Sequence, residues 1–341
     1  MDNNNSYIIE FAKKILNVPS PSGYTHKVIK TIEDEAKQLG YESTRTKKGN
    51  LIIDIPGRGD YTLGLSAHVD TLGAMVRSIT SNGELKFTTI GGPIWPTLDG
   101  EYCTVHTRDN SDFEGTFLST SPSSHVYKKA GSETRNPENM VVRIDEVVKS
   151  KEDVEKLGIR PGDFIFFDPK TTVTESGYIK SRFLDDKISV AIIFGLLKHL
   201  KDEKIQPKQN LKIIISTYEE VGHGASFIPE LDELIAVDMG CIGEDLSCTE
   251  HDVSICAKDS SGPYDYGIIS KLVEISKKEK LNFVTDIYPF YGSDVSAAYR
   301  GGTDFRGGLI GPGVHASHGM ERTHIDAIDS TFKLLLNYLK A

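Results

Sequence analysis

Apolar residues at positions 8, 9, 11, 12, 15 and 16 recur at the spacing of one helical face, and Pro19 and Pro21 end the run. The chain therefore opens on an amphipathic helix. A second such face, Val28, Ile29, Ile32, Ala36 and Leu39, follows Thr25 and stops at Gly40. Residues 50–55 and 62–67 then carry the aliphatic runs of strands, parted by Pro56-Gly57-Arg58-Gly59. From about Met75 to Ile179 the texture changes to short strands (102–107, 113–118, 140–144 and 164–167) among many turn residues. One short helical stretch, 151–157, interrupts them, and the polar segment 119–139 predicts a long loop. After Lys180 the helix–strand alternation resumes. It gives a buried helix at 188–200, a buried strand at 211–216, strands at 234–237 and 253–257, and helices at 266–279 and 326–339. A run of strands breaking an α/β pattern predicts an α/β domain in two parts, 1–75 and 180–341, with an inserted β-rich domain over 76–179.

Composition narrows the function classes. The 341 residues carry 39 basic and 49 acidic side chains, a formal net charge of −10, with no cluster of Lys and Arg. That argues against nucleic acid as a partner. The longest apolar stretch, 190–197, is too short to cross a bilayer, so no membrane association is expected. No secretory signal pattern precedes the first helix, and the four cysteines lack C-x-x-C spacing, so a cytoplasmic, reduced setting is expected.

Candidate chemistry sits at the ends of the predicted elements. The strand at 62–67 runs into His68-Val69-Asp70. Asp185-Asp186 directly precedes the 188–200 helix, the strand at 211–216 is followed by Glu219-Glu220, and the strand at 234–237 by Asp238. His315, His318 and His324 lie in a Gly/Pro-rich segment near the end. Each taken alone reads as ordinary structure: a surface turn, a helix cap, a solvated strand end. Their shared placement points instead to convergence at the carboxyl edge of a sheet. Two divalent cations need a bridging carboxylate with His and carboxylate ligands around it, and a further carboxylate can handle the proton of an activated water. Adjacent Glu219 and Glu220 could divide those duties. Asp70 could hydrogen-bond the imidazole of His68 and fix its tautomer.

The chain resembles the co-catalytic metallo-aminopeptidases of the glutamyl and tetrahedral (deblocking) type. The matching residues are Ala67-His68-Val69-Asp70-Thr71-Leu72-Gly73-Ala74-Met75-Val76, Phe183-Leu184-Asp185-Asp186-Lys187, Tyr218-Glu219-Glu220-Val221-Gly222, Ala236-Val237-Asp238 and Gly292-Ser293-Asp294. Leu157-Gly158-Ile159-Arg160-Pro161-Gly162-Asp163 is similar to the family's insertion. The resemblance implies a three-layer α/β/α catalytic domain carrying a β-barrel-like insertion for dimerisation or as a lid. It also implies two divalent ions, zinc or cobalt, with manganese an alternative. One would be held by His68, Asp185 and Asp238 and the other by Asp185, Glu220 and His318, with Asp185 as the bridge, Glu219 as general base and Asp70 orienting His68. Dimers assembling into larger homo-oligomers are expected as well. The departures are the histidine-rich run ending in His318, where His315 is the second choice of ligand and His324 is placed at the start of the last helix, Lys187 where Arg is common, and His223-Gly224 after the paired Glu.

The expected activity is removal of N-terminal residues from peptides. A metal-dependent amidase or deacylase acting on a small amide keeps the same residues with another bond. A catalytically silent scaffold would be expected to have lost Glu219, and a glycoside hydrolase would use paired carboxylates but has no need of the histidines.

Overall fold

The computed structural model describes residues 3–341. Helices α1 (Asn3–Leu16) and α2 (His26–Gln38) lead into strands β1 (Ser43–Arg45), β2 (Leu51–Ile55) and β3 (Thr62–His68). The chain then forms β4 (Gly73–Ile79), β5 (Leu85–Ile90), β6 (Tyr102–His106), β7 (Asp112–Ser119), β8 (Met140–Ile144), the short helix α3 (Lys151–Lys156) and β9 (Phe164–Phe167). It continues through β10 (Thr172–Val173), β11 (Tyr178–Ser181), α4 (Leu184–Asp202), β12 (Asn210–Ser216), β13 (Glu233–Val237), β14 (Gly240–Cys241), β15 (Val253–Asp259) and β16 (Gly262–Pro263). The last elements are α5 (Tyr266–Glu279), β17 (Phe283–Ile287), α6 (Asp294–Arg300), β18 (Arg306–Val314), β19 (Glu321–His324) and α7 (Ile325–Lys340).

Two compact units result, one of residues up to Thr71 together with Lys170–Ala341, the other Leu72–Pro169. The boundaries fall earlier than the hydrophobic pattern places them, at 71 rather than 75 and at 169 rather than 179. Hydrogen bonding explains the shift: β4 pairs with β5 and β9 of the insertion, whereas β11 pairs with β19 of the larger unit.

The larger unit is built on a ten-stranded sheet whose main path runs β1-β2-β12-β3-β13-β18-β15-β16. Strands β12, β3, β13 and β18 are mutually parallel, and β15 turns antiparallel against β18. Helices cover both faces, which makes three layers. A Cβ at Gly307 would meet Val295 and Tyr299 of α6, whereas one at the next residue, Gly308, would meet Ile268 of α5. Helix α4 is buried on every side from Ile188 to Leu197, as its unbroken apolar run dictates. A side chain at its Gly195 would come 2.4 Å from Ile8, so α1 lies directly against it.

The hydrophobic pattern assigns no element to Arg306-Gly-Gly-Leu-Ile-Gly-Pro-Gly-Val314, which nevertheless forms a central strand, β18. The glycines are a packing requirement rather than a break. A Cβ at Gly311 would lie 1.6 Å from the carbonyl oxygen of Asp238, and one at Gly313 would lie 2.0 Å from that of Thr249. The smaller unit is a closed barrel in the order β4-β5-β8-β7-β6-β9. Its interior holds Phe117 edge-on to Phe87 and Phe167, with ring centroids 4.8 and 5.2 Å apart. Strands β4 and β5 add to the expected set. Among the described residues, no helix is long and apolar enough to cross a membrane.

Candidate active site

Because β3, β12 and β13 run parallel, their carboxyl ends share one edge, and the predicted residues meet there. His68 ends β3, Glu219 and Glu220 lie in a turn of 3₁₀ helix beyond β12, and Asp238 follows β13. Asp185 and Asp186 occupy a non-helical entrance to α4, after Phe183 in a left-handed conformation with φ +71°. His318, also left-handed with φ +62°, stands in the loop between β18 and β19.

The imidazole of His68 has a defined orientation. Its Nδ1 lies 3.0 Å from the carbonyl oxygen of Asp70, an atom that can only accept, so Nδ1 donates there and Nε2 is the nitrogen turned to the acids, free to hold a proton or a cation. Nε2 faces Oδ1 of Asp185 at 3.1 Å and Oε2 of Glu219 at 3.7 Å. The other oxygen of Asp185 faces a different imidazole: Oδ2 lies 3.7 Å from Nε2 of His318, which is also 3.6 Å from Oε2 of Glu220. Asp185 thus stands between two histidines with one oxygen turned to each. His315 is exposed, and its main chain pairs with that of Arg322. His324 caps α7, its side chain accepting from the N–H of Asp326.

Asp70 differs from expectation. Its carboxylate is 3.6 Å from Nδ1 of His68, and the closer partner of that nitrogen is its own main-chain carbonyl. The carboxylate oxygens are engaged elsewhere: they accept from Ser22 Oγ at 2.5 Å and from the N–H groups of Glu219 and Glu220 at 3.1 and 3.3 Å. Asp70 therefore fixes the backbone of the paired glutamates and orients His68 through its peptide oxygen.

Further groups complete the site. Glu321, 2% exposed, accepts the main-chain N–H of Asp185 at Oε2 (3.0 Å) and of His318 at Oε1 (3.1 Å). Asp186 accepts the N–H of His68 at 3.0 Å, while its buried Oδ1 has no hydrogen-bond partner among the described residues. Asp294 accepts from Ser216 Oγ at 2.8 Å. Asp186 received no role of its own from the sequence, although its place beside Asp185 was a signal for it. Nothing local marked Glu321 except its three-residue distance from His318.

This much buried acid is electrostatically incomplete. Burial, then the charge of neighbouring carboxylates, holds Asp186, Glu219 and Glu220 well above the usual carboxylate range, and pushes Asp238 up to about 7. Burial alone would lower His68, but its bond to Asp185 and the charges of Glu219, Asp186 and Asp238 outweigh that and hold it well above its ordinary value. Asp185, though buried, is held low by His68 and His318. Ligand atoms of His68, Asp185 and Glu220 lie within 4.8 Å of one another, as do those of His68, Asp186 and Asp238. The donor set and the orphaned Asp186 oxygen fit divalent cations, which would supply the missing positive charge. A cavity of about 240 Å³, lined by Asp185, Glu219, Glu220, Asp238, Tyr291 and His318 among others, opens over these residues.

A three-layer domain with a barrel inserted after β3 is the fold of the TET aminopeptidases. The chain superposes on the TET1 peptidase of Pyrococcus horikoshii with a TM-score of 0.84 at 24% identity, covering 97% of this chain and 99% of that one. Residues 49–334 match the M42 glutamyl aminopeptidase family, and the chain belongs to that family. It is 46% identical over 336 residues to YhfE of Bacillus subtilis, a candidate aminopeptidase, spanning 98% of this chain and 97% of that one. A lysyl aminopeptidase of Pyrococcus furiosus is 27% identical over 235 residues, 67% of this chain and 66% of its own. The protein is an aminopeptidase of the M42 family.

Proposed function

We propose that the protein hydrolyses the first peptide bond of peptides with a free N-terminus, using two divalent cations. His68, Asp185 and Asp238 would hold one ion, and Asp185, Glu220 and His318 the other. The observation that carries this reading is the placement of Asp185, with Oδ1 turned to His68 and Oδ2 to His318. The ions, when bound, bring the pKa of a water towards neutrality and polarise the scissile carbonyl. Glu219 accepts the proton of that water and delivers it to the leaving amine. Its raised proton affinity, from burial first and from nearby acids second, suits a group that must hold a proton between two steps. Asp70 keeps the two glutamates in register, and Glu321 does the same for Asp185 and His318.

Mixed imidazole and carboxylate ligands suit zinc or cobalt, with manganese also compatible. The four cysteines are free, which agrees with a reduced, cytoplasmic setting. Self-association into dimers and a larger shell is proposed by analogy with the TET1 peptidase, which can assemble into a tetrahedron or an octahedral shell.

The test compares aminoacyl-para-nitroanilides and free dipeptides with their N-acylated counterparts in zinc- or cobalt-loaded protein. Hydrolysis restricted to substrates with a free amine is expected. Preference for the acylated compounds would replace the peptidase reading with an amidase or deacylase one.

A further inference from the structure

Away from the candidate active site, two imidazoles and a carboxylate converge where the turn before β15, strand β19 and the start of α7 meet. Nδ1 of His251 lies 2.9 Å from Oδ2 of Asp326, and Nδ1 of His324 lies 3.1 Å from the same oxygen. The two imidazole rings have centroids 4.2 Å apart. One ligand-type atom from each of the three residues falls within 4.8 Å of the others.

Hydrogen bonding defines the tautomer of His324. Its Nε2 is 2.8 Å from the carbonyl oxygen of Ser176, which can only accept, so Nε2 carries the proton. Its Nδ1 accepts from the main-chain N–H of Asp326 and therefore presents a lone pair. The same nitrogen also stands 3.1 Å from a carboxylate oxygen that has no proton to offer it, and a cation bound there would take the place of the Asp326 N–H at the lone pair. An imidazole whose far N–H is held by a backbone carbonyl is also the usual arrangement of a metal-ligating histidine. His251 can match it, since its Nε2 lies 3.3 Å from the hydroxyl of Tyr178 and can donate there while Nδ1 points at Asp326. Ligand atoms 2.0–2.1 Å from a tetrahedral ion sit about 3.3 Å apart, close to the two separations observed.

We propose that His251, His324 and Asp326 form a peripheral site for one divalent cation of the zinc class, with water completing the coordination. The positive end of α7 opposes a cation here, and the carboxylate of Asp326 offsets it. The neighbouring charges, Arg322 and Glu250, neutralise each other in a two-bonded ion pair. His251 and Asp326 are 41% and 48% exposed, so this ion exchanges more readily than one held by the buried cluster. Its place in the fold gives it a purpose. His324 pairs with Tyr178 at one end of the β11–β19 ladder, and Glu321, which holds Asp185 and His318, pairs with Ser181 at the other. The ion would staple the turn at His251 to that ladder and to α7. This last step rests on the active-site reading, but the site itself does not.

The experiment strips the protein with a chelator, reloads it with zinc, and measures bound metal and the zinc-dependent shift in Tm for wild type and His251→Ala. One zinc equivalent fewer in the variant, a smaller Tm shift and peptidase activity within about twofold of wild type are expected. Asp326→Asn should lose the same equivalent. The difference of one equivalent is expected whatever the buried cluster binds, so failure of the active-site reading would remain distinguishable. Equal zinc content and equal Tm shifts in wild type and His251→Ala would overturn the proposal.

Discussion

Replacing Glu321 by Gln tests whether the two proposed ions depend on backbone held in place by a group that touches neither of them. Gln keeps the shape of the side chain but has one oxygen where Glu has two. In the protein Oε2 accepts from the N–H of Asp185 and Oε1 from that of His318, at 3.0 and 3.1 Å. The variant must therefore turn an amide NH₂ towards one of these N–H groups, leaving a buried donor without a partner. That costs about 1–3 kcal/mol. Most of the cost falls on the geometry of Asp185 and His318, the residues proposed to share the second ion. The corresponding loss in metal affinity is about 10–100-fold, the range typical of residues that orient metal ligands. The assay is peptidase activity against buffered free zinc. The half-saturating zinc concentration should move up by that factor, while kcat at saturating zinc stays within about threefold, because Glu219 is untouched. An unchanged half-saturation point, or a loss of kcat that excess metal does not restore, would refute the reasoning.

Other expected outcomes follow from the same geometry. Glu219→Gln should keep its metal and lose activity by about 10²–10⁴-fold, the usual contribution of a general acid–base group; near-normal turnover would place the base elsewhere. His318→Ala should weaken metal binding and His315→Ala should not, as isothermal titration would register; the reverse order would move the ligand to His315. In metal-free protein, Asp238 holds its proton up to about 7, and Glu219 and Glu220 hold theirs well above the ordinary range, whereas an unfolded chain releases them near 4. The folded state then binds more protons than the unfolded one between roughly pH 4 and 7. Stability over that window should rise on acidification, by about 1.4 kcal/mol per pH unit for each proton of difference. Thermal melting of chelated protein should give a higher Tm near ~pH 5.5 than near ~pH 7.5, and a lower one would contradict the assignment.

The sequence made the elements that follow simple periodicity legible. The helical faces of α1 and α2, the continuous apolar run of α4 and the aliphatic strands β3, β12 and β13 all announced themselves. Because those three strands are parallel, reading the residue just past each end was enough to bring His68, Glu219, Glu220 and Asp238 to one edge. Strand β18 stayed hidden because close backbone approach, not side-chain packing, shapes it, so glycine stands where strand formers would be expected. The atom through which Asp70 orients His68 was hidden for a related reason. A His-x-Asp spacing suggests a carboxylate on the imidazole, but in the folded chain Ser22 and two main-chain N–H groups occupy its oxygens. Glu321 lacks a periodic signature of its own, since its function is to accept from backbone brought together by tertiary structure.

Anomalous diffraction at the absorption edge of the bound metal tests the central claim most directly. Crystals of the metal-loaded aminopeptidase should give two peaks about 3.5–4 Å apart astride the carboxylate of Asp185, one beside His68 and the other beside His318. A single peak there, or metal bound only away from Asp185, would contradict the account.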